Sequence, residues 1–151
     1  MKTFILSGLL LYCSFSYAQE LDIPEEKLPK PVLENFKKLF PKATDSEWDK
    51  FPEFYEVDFL EGKVEKEAIF GLNGDWLITE KTVPHSKLPQ AVKDGLFKSK
   101  YADYKIRESA EVEMPGLPEA YGVDVVKGKE ELALYFDKTG KIIKVTDDWK
   151  N

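Results

Sequence analysis

The sequence predicts an α+β fold: two tandem units, each a helix followed by a four-stranded antiparallel sheet, with one sheet face left open. Three observations predict it. The first is an internal repeat. Ile23-Pro24-x-x-Lys27-Leu28-Pro29 returns 60 positions later as Val83-Pro84-x-x-Lys87-Leu88-Pro89, and a repeat fixes architecture before any other signal. The second is a change of hydrophobic period, from 3.6 to 2, after each copy. The third is matched turn chemistry. Gly62-Lys63 pairs with Gly128-Lys129, and Phe70-x-x-x-Gly74 pairs with Phe136-x-x-x-Gly140.

Residues 1–18 read as a secretory signal. Lys2 supplies the positive start, residues 4–11 are mostly apolar, and Ser16-Tyr17-Ala18 has the small-x-small form of a cleavage site. The apolar run is far shorter than the roughly 20 residues a membrane span needs. Lipoprotein processing at Cys13 is disfavoured because Tyr12, just before it, is large. Cleavage after Ala18 leaves residues 19–82 as the first unit and 83–151 as the second. It removes only Lys2 from the 22 basic residues, so 21 face 28 acidic ones, a net charge of −7. The cleaved chain has no cysteine, so packing must replace the disulfides common in small exported domains. A net acidic surface argues against nucleic acid and anionic membranes as partners.

In the first unit, Pro29-Lys30-Pro31 opens a helix, where a missing N–H costs nothing. Val32, Leu33, Phe36, Leu39 and Phe40 make one apolar stripe. Pro41 ends it. A strand over 43–51 carries Trp48. Tyr55, Val57 and Phe59 alternate with Glu56 and Asp58 in a half-buried strand. Glu61-Gly62-Lys63 turns the chain into a return strand over 64–70. Asn73-Gly74 marks the next turn before a last strand over 76–81. The second unit repeats the plan: a helix over 89–100 with Val92, Leu96 and Phe97, a strand over 105–113, and the Tyr121-Gly122-Val123-Asp124-Val125 strand. Gly95, inside the helix, should cost about 1 kcal/mol against alanine. The repeat offset grows from 60 to 66 across Met114-Pro115-Gly116-Leu117-Pro118. That stretch is too rich in turn formers for a strand interior and reads as a loop.

The Leu-Pro-x-x-Val helix start, Phe40-Pro41-x-Ala43, Trp48, the Tyr-x-Val-x-Phe strand and Gly74-x-Trp76-Leu77-x-Thr79-Glu80 resemble the PepSY-like, β-lactamase-inhibitor-like family of exported bacterial proteins. The resemblance covers nearly all of the chain after the signal, twice over. It implies a periplasmic or secreted location. It also implies a fold like the β-lactamase inhibitor protein, whose sheet grips an enzyme. The second unit departs from the pattern: it lacks the first-strand tryptophan and the Trp-Leu pair. That inhibitor's enzyme-contacting residues do not map onto this sequence, so β-lactamase inhibition is not implied.

No catalytic constellation stands out. His85 is the single histidine, and a nucleophile–base–orienter set needs more than an adjacent Ser86. Zinc wants Cys and His clusters, and no cofactor is expected. Asn73-Gly74-Asp75 and Asp147-Asp148 suit calcium only by residue type and lack the spacing of a calcium loop. Glu56 with Asp58, and Glu65 with Glu67, each share a strand face, more simply a wet surface than an acid–base pair. Trp48 and Trp76 read as core, and Trp149 as either a cap on the sheet edge or a local packing residue.

The expectation is therefore an exported, non-enzymatic binding module, with an inhibitor-like role open to it and an unknown protein or peptide of the cell envelope as partner. Its sheet-face candidates are Glu56, Asp58, Glu65, Glu67, Ile69, Asp124 and Tyr135. Met114 and Leu117 are loop candidates, either in a recognition loop or in an insertion tucked against its own unit. The alternative is a small-ligand or envelope-glycan binder that stacks on Tyr55, Tyr135 or Trp76.

Overall fold

The structure is a computed structural model and describes residues 21–146. The expected signal segment, Asp147-Asp148 and Trp149 lie outside the described residues.

The chain runs β1 (Leu21–Asp22), α1 (Lys30–Leu39), β2 (Ala43–Lys50), β3 (Phe54–Glu61), β4 (Val64–Gly71), β5 (Trp76–Thr82), α2 (Gln90–Phe97), β6 (Lys105–Met114), β7 (Leu117–Lys127), β8 (Glu130–Asp137) and β9 (Ile142–Thr146). Each helix follows a short 3-10 turn, Glu25–Lys27 or His85–Lys87. The strands form one antiparallel sheet in strict chain order, β1 to β9. The expected pair of four-stranded sheets is thus a single nine-stranded one. The extra member, β1, adds two residues against Asp49 and Lys50.

Both helices begin beside a proline. The Pro29 carbonyl accepts from Val32 and Leu33, and the Pro89 carbonyl accepts from Val92 and Lys93. Both helices pack on the same sheet face. Under α1, Val32 and Phe36 meet Trp48, Tyr55, Val57, Phe59, Ala68 and Phe70. Under α2, Val92 and Leu96 meet Tyr101, Val123, Val125, Leu132, Leu134 and Phe136. Each fully buried side chain of this kind contributes about 1.5–3 kcal/mol. Phe97, expected in the α2 stripe, is 78% exposed. One residue beyond Leu96 is a 100° rotation, enough to carry it off the sheet-facing side.

Two sequence readings are corrected here. Gly95 is required by packing. A Cβ at Gly95 would lie 2.0 Å from the Gly140 carbonyl oxygen, because the β8–β9 turn rests on α2. The 114–118 stretch is no loop. β6 runs to Met114 and β7 starts at Leu117, and the two residues pair directly. Only Pro115-Gly116 turn, with Gly116 at φ 75°. Proline followed by a residue of positive φ is the type II turn signature, so the cluster of turn formers closes a long hairpin.

Candidate functional site

Strand alternation assigns each residue to a face. Tyr55, Val57 and Phe59 point to the helices, so Glu56 and Asp58 point away. The register extends this assignment across the sheet. Glu56 pairs with Ile69, Asp58 with Glu67 and Leu60 with Glu65. Glu67 then pairs with Glu80, and Ile69 with Ile78. On the other side of the β5–β6 junction, Glu108 pairs with Asp124, and Gly122 lies between Ala110 and Tyr135. All seven sheet-face candidates therefore share the helix-free face.

That face is not uniformly open. A third apolar cluster crosses it from β3 to β8: Phe54, Ile69, Ile78, Ala110, Val112, Ala120, Ala133 and Tyr135. Phe51, Met114 and Leu117 pack against its rim. Ile69 and Tyr135 are only 3% and 1% exposed, so these two candidates build the face and cannot present it. Met114 and Leu117 are half-buried ends of the long hairpin, packed against the rim of that cluster.

Tyr135 is buried because its neighbours are small. A Cβ on Gly122 would lie 3.3 Å from Val112 Cγ2 and 3.7 Å from Tyr135 Cε1. The phenol lies across this low ground, and its hydroxyl donates to Glu80 Oε1 at 3.2 Å. Glu80 is itself buried. Burial, with Asp124 and Glu108 adding repulsion, pushes the Glu80 carboxyl up to about 7, against the pull of the Tyr135 hydrogen bond. Burial and Glu108 likewise push Asp124 up to about 7, opposed by Arg107. Glu67 is raised well above the usual carboxylate range by burial and then by Glu56, Glu80 and Asp58. The Tyr135 phenol is raised too, first by burial and then by the Glu80 charge.

The arrangement is thus an acidic row, Asp58-Glu67-Glu80, and an acidic pair, Glu108-Asp124, set around an apolar middle. Glu65 stands exposed at the outer end, while Glu56, Asp58, Glu67 and Asp124 are half-buried. Among the described residues, no group of three or more His, Cys, Asp or Glu side chains could hold a metal ion. Sequence reasoning missed Glu80 and Glu108. Their parity was readable, since Ile78, Glu80 and Thr82 alternate with Leu77, Thr79 and Lys81. What could not be read was the pairing that sets them beside Glu67 and Asp124.

The aromatic platforms of the alternative reading are mostly unavailable. Tyr55 is buried under α1 and Tyr135 under the third cluster. Trp76 is half-buried, and its Nε1 donates to Thr79 Oγ1 at 2.9 Å. Trp48 is core, as expected. His85 is exposed on its 3-10 turn. On the helix-bearing face, a groove of about 390 Å³ lies over β5 and β6, lined by residues that include Lys66, Thr79, Lys81, Glu111, Glu113 and Tyr121. Its lysines are already paired, Lys66 to Glu61 and Lys81 to Glu111, each at 2.7 Å.

A nine-stranded antiparallel sheet with both helices on one face defines an α+β protein with its opposite sheet face uncovered by helices. The chain is a member of the PepSY-like family, described as beta-lactamase-inhibitor-like, whose model matches residues 16–59 and 53–144. It is similar to a BLIP-like protein from Bacteroides fragilis, 27% identical, covering 85% of this chain and 89% of that one with a TM-score of 0.62. It also shares its fold with a DUF2874 family protein from Bacteroides ovatus, 22% identical, covering 82% and 92% with a TM-score of 0.63. A protein from Bacteroides eggerthii described as periplasmic is 19% identical, covering 79% and 88% with a TM-score of 0.60. Among curated proteins nothing matches. No helix among the described residues is long and apolar enough to cross a membrane.

Proposed function

We propose that this chain is an exported, non-enzymatic binding module that receives a protein or peptide partner on the helix-free face of its sheet. The observation that carries the reading is the face itself. Carboxylates on β3, β4 and β7 (Glu56, Asp58, Glu65, Glu67 and Asp124) stand on a side of the sheet that neither helix covers. Antiparallel sheets commonly leave one face to solvent. A half-buried face so rich in like charge is costly to the fold, which favours a role in recognition over a role in packing.

The reading takes residues 1–18 as a signal removed near Ala18, followed by tandem units over 19–82 and 83–151. The periplasm or the exterior is then the place of work, in keeping with the B. eggerthii neighbour. Membership of an inhibitor-like family favours sheet-face docking over catalysis.

The test compares capture of envelope proteins by the purified protein and by a Glu56→Lys/Asp58→Lys variant whose circular dichroism matches it. A partner retained by the first and lost by the second supports the face. Equal capture by both removes the face from consideration. N-terminal sequencing of the exported protein should begin at Gln19.

A further inference from the structure

The two halves of the sheet, β1–β5 and β6–β9, meet along a short seam. β5 and β6 pair only over Thr79–Thr82 and Ala110–Glu113, whereas β3–β4 and β7–β8 pair along their whole length. The seam is reinforced on the helix-free face. The third apolar cluster takes Phe54, Ile69 and Ile78 from one half and Val112, Ala133 and Tyr135 from the other. The Tyr135–Glu80 hydrogen bond crosses it. Directly beside that reinforcement, Asp58, Glu67 and Glu80 oppose one another on β3, β4 and β5, and Glu108 opposes Asp124. Like charges in direct opposition repel, and burial makes Glu67, Glu80 and Asp124 more costly to ionise.

We propose that the seam is a proton-operated latch: with Glu67, Glu80 and Asp124 neutral the halves close around Tyr135, and ionising them together loosens β5 from β6. The latch belongs to the chain alone and does not depend on the docking of any partner.

The surrounding groups act in both directions. From β2, Glu47 and Asp49 stand opposite Asp58 and Glu56 and add negative charge. Thr82 Oγ1 donates to Glu108 Oε1 at 2.7 Å. Arg107 opposes ionic repulsion at Asp124, but its Nη1 is bound to Glu131 Oε2 at 2.6 Å. Lys144 of β9 lies opposite Tyr135, and Lys105 opposite Val126. The carboxyls of Glu80 and Asp124 titrate near 7 and that of Glu67 well above its usual range. The folded chain therefore holds protons that the unfolded chain has released between the ordinary carboxylate range and about pH 7. Stability is greatest on the acid side and falls as pH rises through that window. The seam has only four paired positions, as few as any interior ladder, and a short ladder is a place where local opening costs little.

Thermal melts and amide hydrogen exchange at pH 5.5 and pH 8, corrected for intrinsic rates, test the latch. The melting temperature should be higher at pH 5.5. Protection at residues 79–82 and 110–113 should fall by about tenfold or more at pH 8, the scale of one unit of pKa shift. Glu67→Gln/Glu80→Gln/Asp124→Asn should flatten the pH profile. Asp58→Asn, a milder change at the rim, should reduce its slope even if the triple variant does not fold. A melting temperature that is flat or rises from pH 5.5 to pH 8 would overturn the proposal. So would a loss of protection spread evenly over β3–β4 and β7–β8.

Discussion

Beneath α1 the core is a set of rings; beneath α2 it is mostly aliphatic. Phe36 meets Trp48 edge-on at 5.0 Å and Phe59 at 5.3 Å, and Phe40 lies 4.7 Å from Phe59. The corresponding ground under α2 is held by Leu96, Val123, Val125 and Leu134, with Tyr101 closing one end. Aromatic pairs of this geometry contribute about 0.5–1.5 kcal/mol beyond area burial. One backbone plan therefore accepts two core chemistries, provided volume and pattern are kept. The sharpest contrast is at one equivalent position. Ile23 donates to the Trp48 carbonyl at 2.9 Å, and Val83 donates to the Ser109 carbonyl at 2.8 Å. Both side chains are buried, and both Trp48 Nε1 and Ser109 Oγ lack a hydrogen-bond partner in the structure. The indole offsets its orphan N–H with ring contacts. The serine brings only the orphan.

The comparison can be broken most forcefully at Trp48. Trp48→Ala should cost about 3–5 kcal/mol, the usual range for emptying a buried aromatic site. Urea unfolding measures it, and a loss below about 1.5 kcal/mol would mean that the rings do not carry the first half. Gly95→Ala comes next. Helix propensity alone foresees a gain of about 1 kcal/mol, whereas the 2.0 Å approach of the Gly140 carbonyl should turn this into a loss of about 2 kcal/mol or more. The sign of the change decides between the two. Ser109→Ala should stabilise the fold by about 1 kcal/mol, since it deletes a buried hydroxyl without a partner. A loss of similar size would show that the hydroxyl is satisfied in solution. Lys81→Ala, which removes the exposed pair with Glu111 across the seam, should change stability by less than about 0.5 kcal/mol. A larger effect would make the seam an electrostatic joint on its helix-bearing side as well.

Legibility followed the range of the interaction. The Tyr55–Phe59 alternation, the Gly62 and Gly128 turns and the proline-led helices are local, and local patterns place helices and strands. The helix-free face of β3 was equally readable, since parity alone sends Glu56 and Asp58 away from the helices. What parity cannot tell is which face residues become buried. Tyr135 sinks because Gly122, thirteen residues earlier, leaves room across the strand boundary. Glu80 is buried because Tyr135 reaches it from 55 residues away. The same blindness turned Pro115-Gly116 into a loop: a two-residue reversal and a longer excursion share their composition. Gly95 looked like a flaw because its reason, the β8–β9 turn, lies 45 residues downstream.

Strand order that equals chain order has a consequence for how this molecule comes into being. Each strand's partner is the one made just before it, so a chain delivered from its N-terminus always finds its next docking edge already laid down. Such neighbour-to-neighbour strand pairing keeps the ladder contacts close in sequence, the kind of wiring that folds fast. Vectorial assembly can proceed as a zipper through β7. The long-distance contacts close at the end, when β8 brings Tyr135 back over Gly122 to Glu80 and the β8–β9 turn then settles on Gly95 of α2.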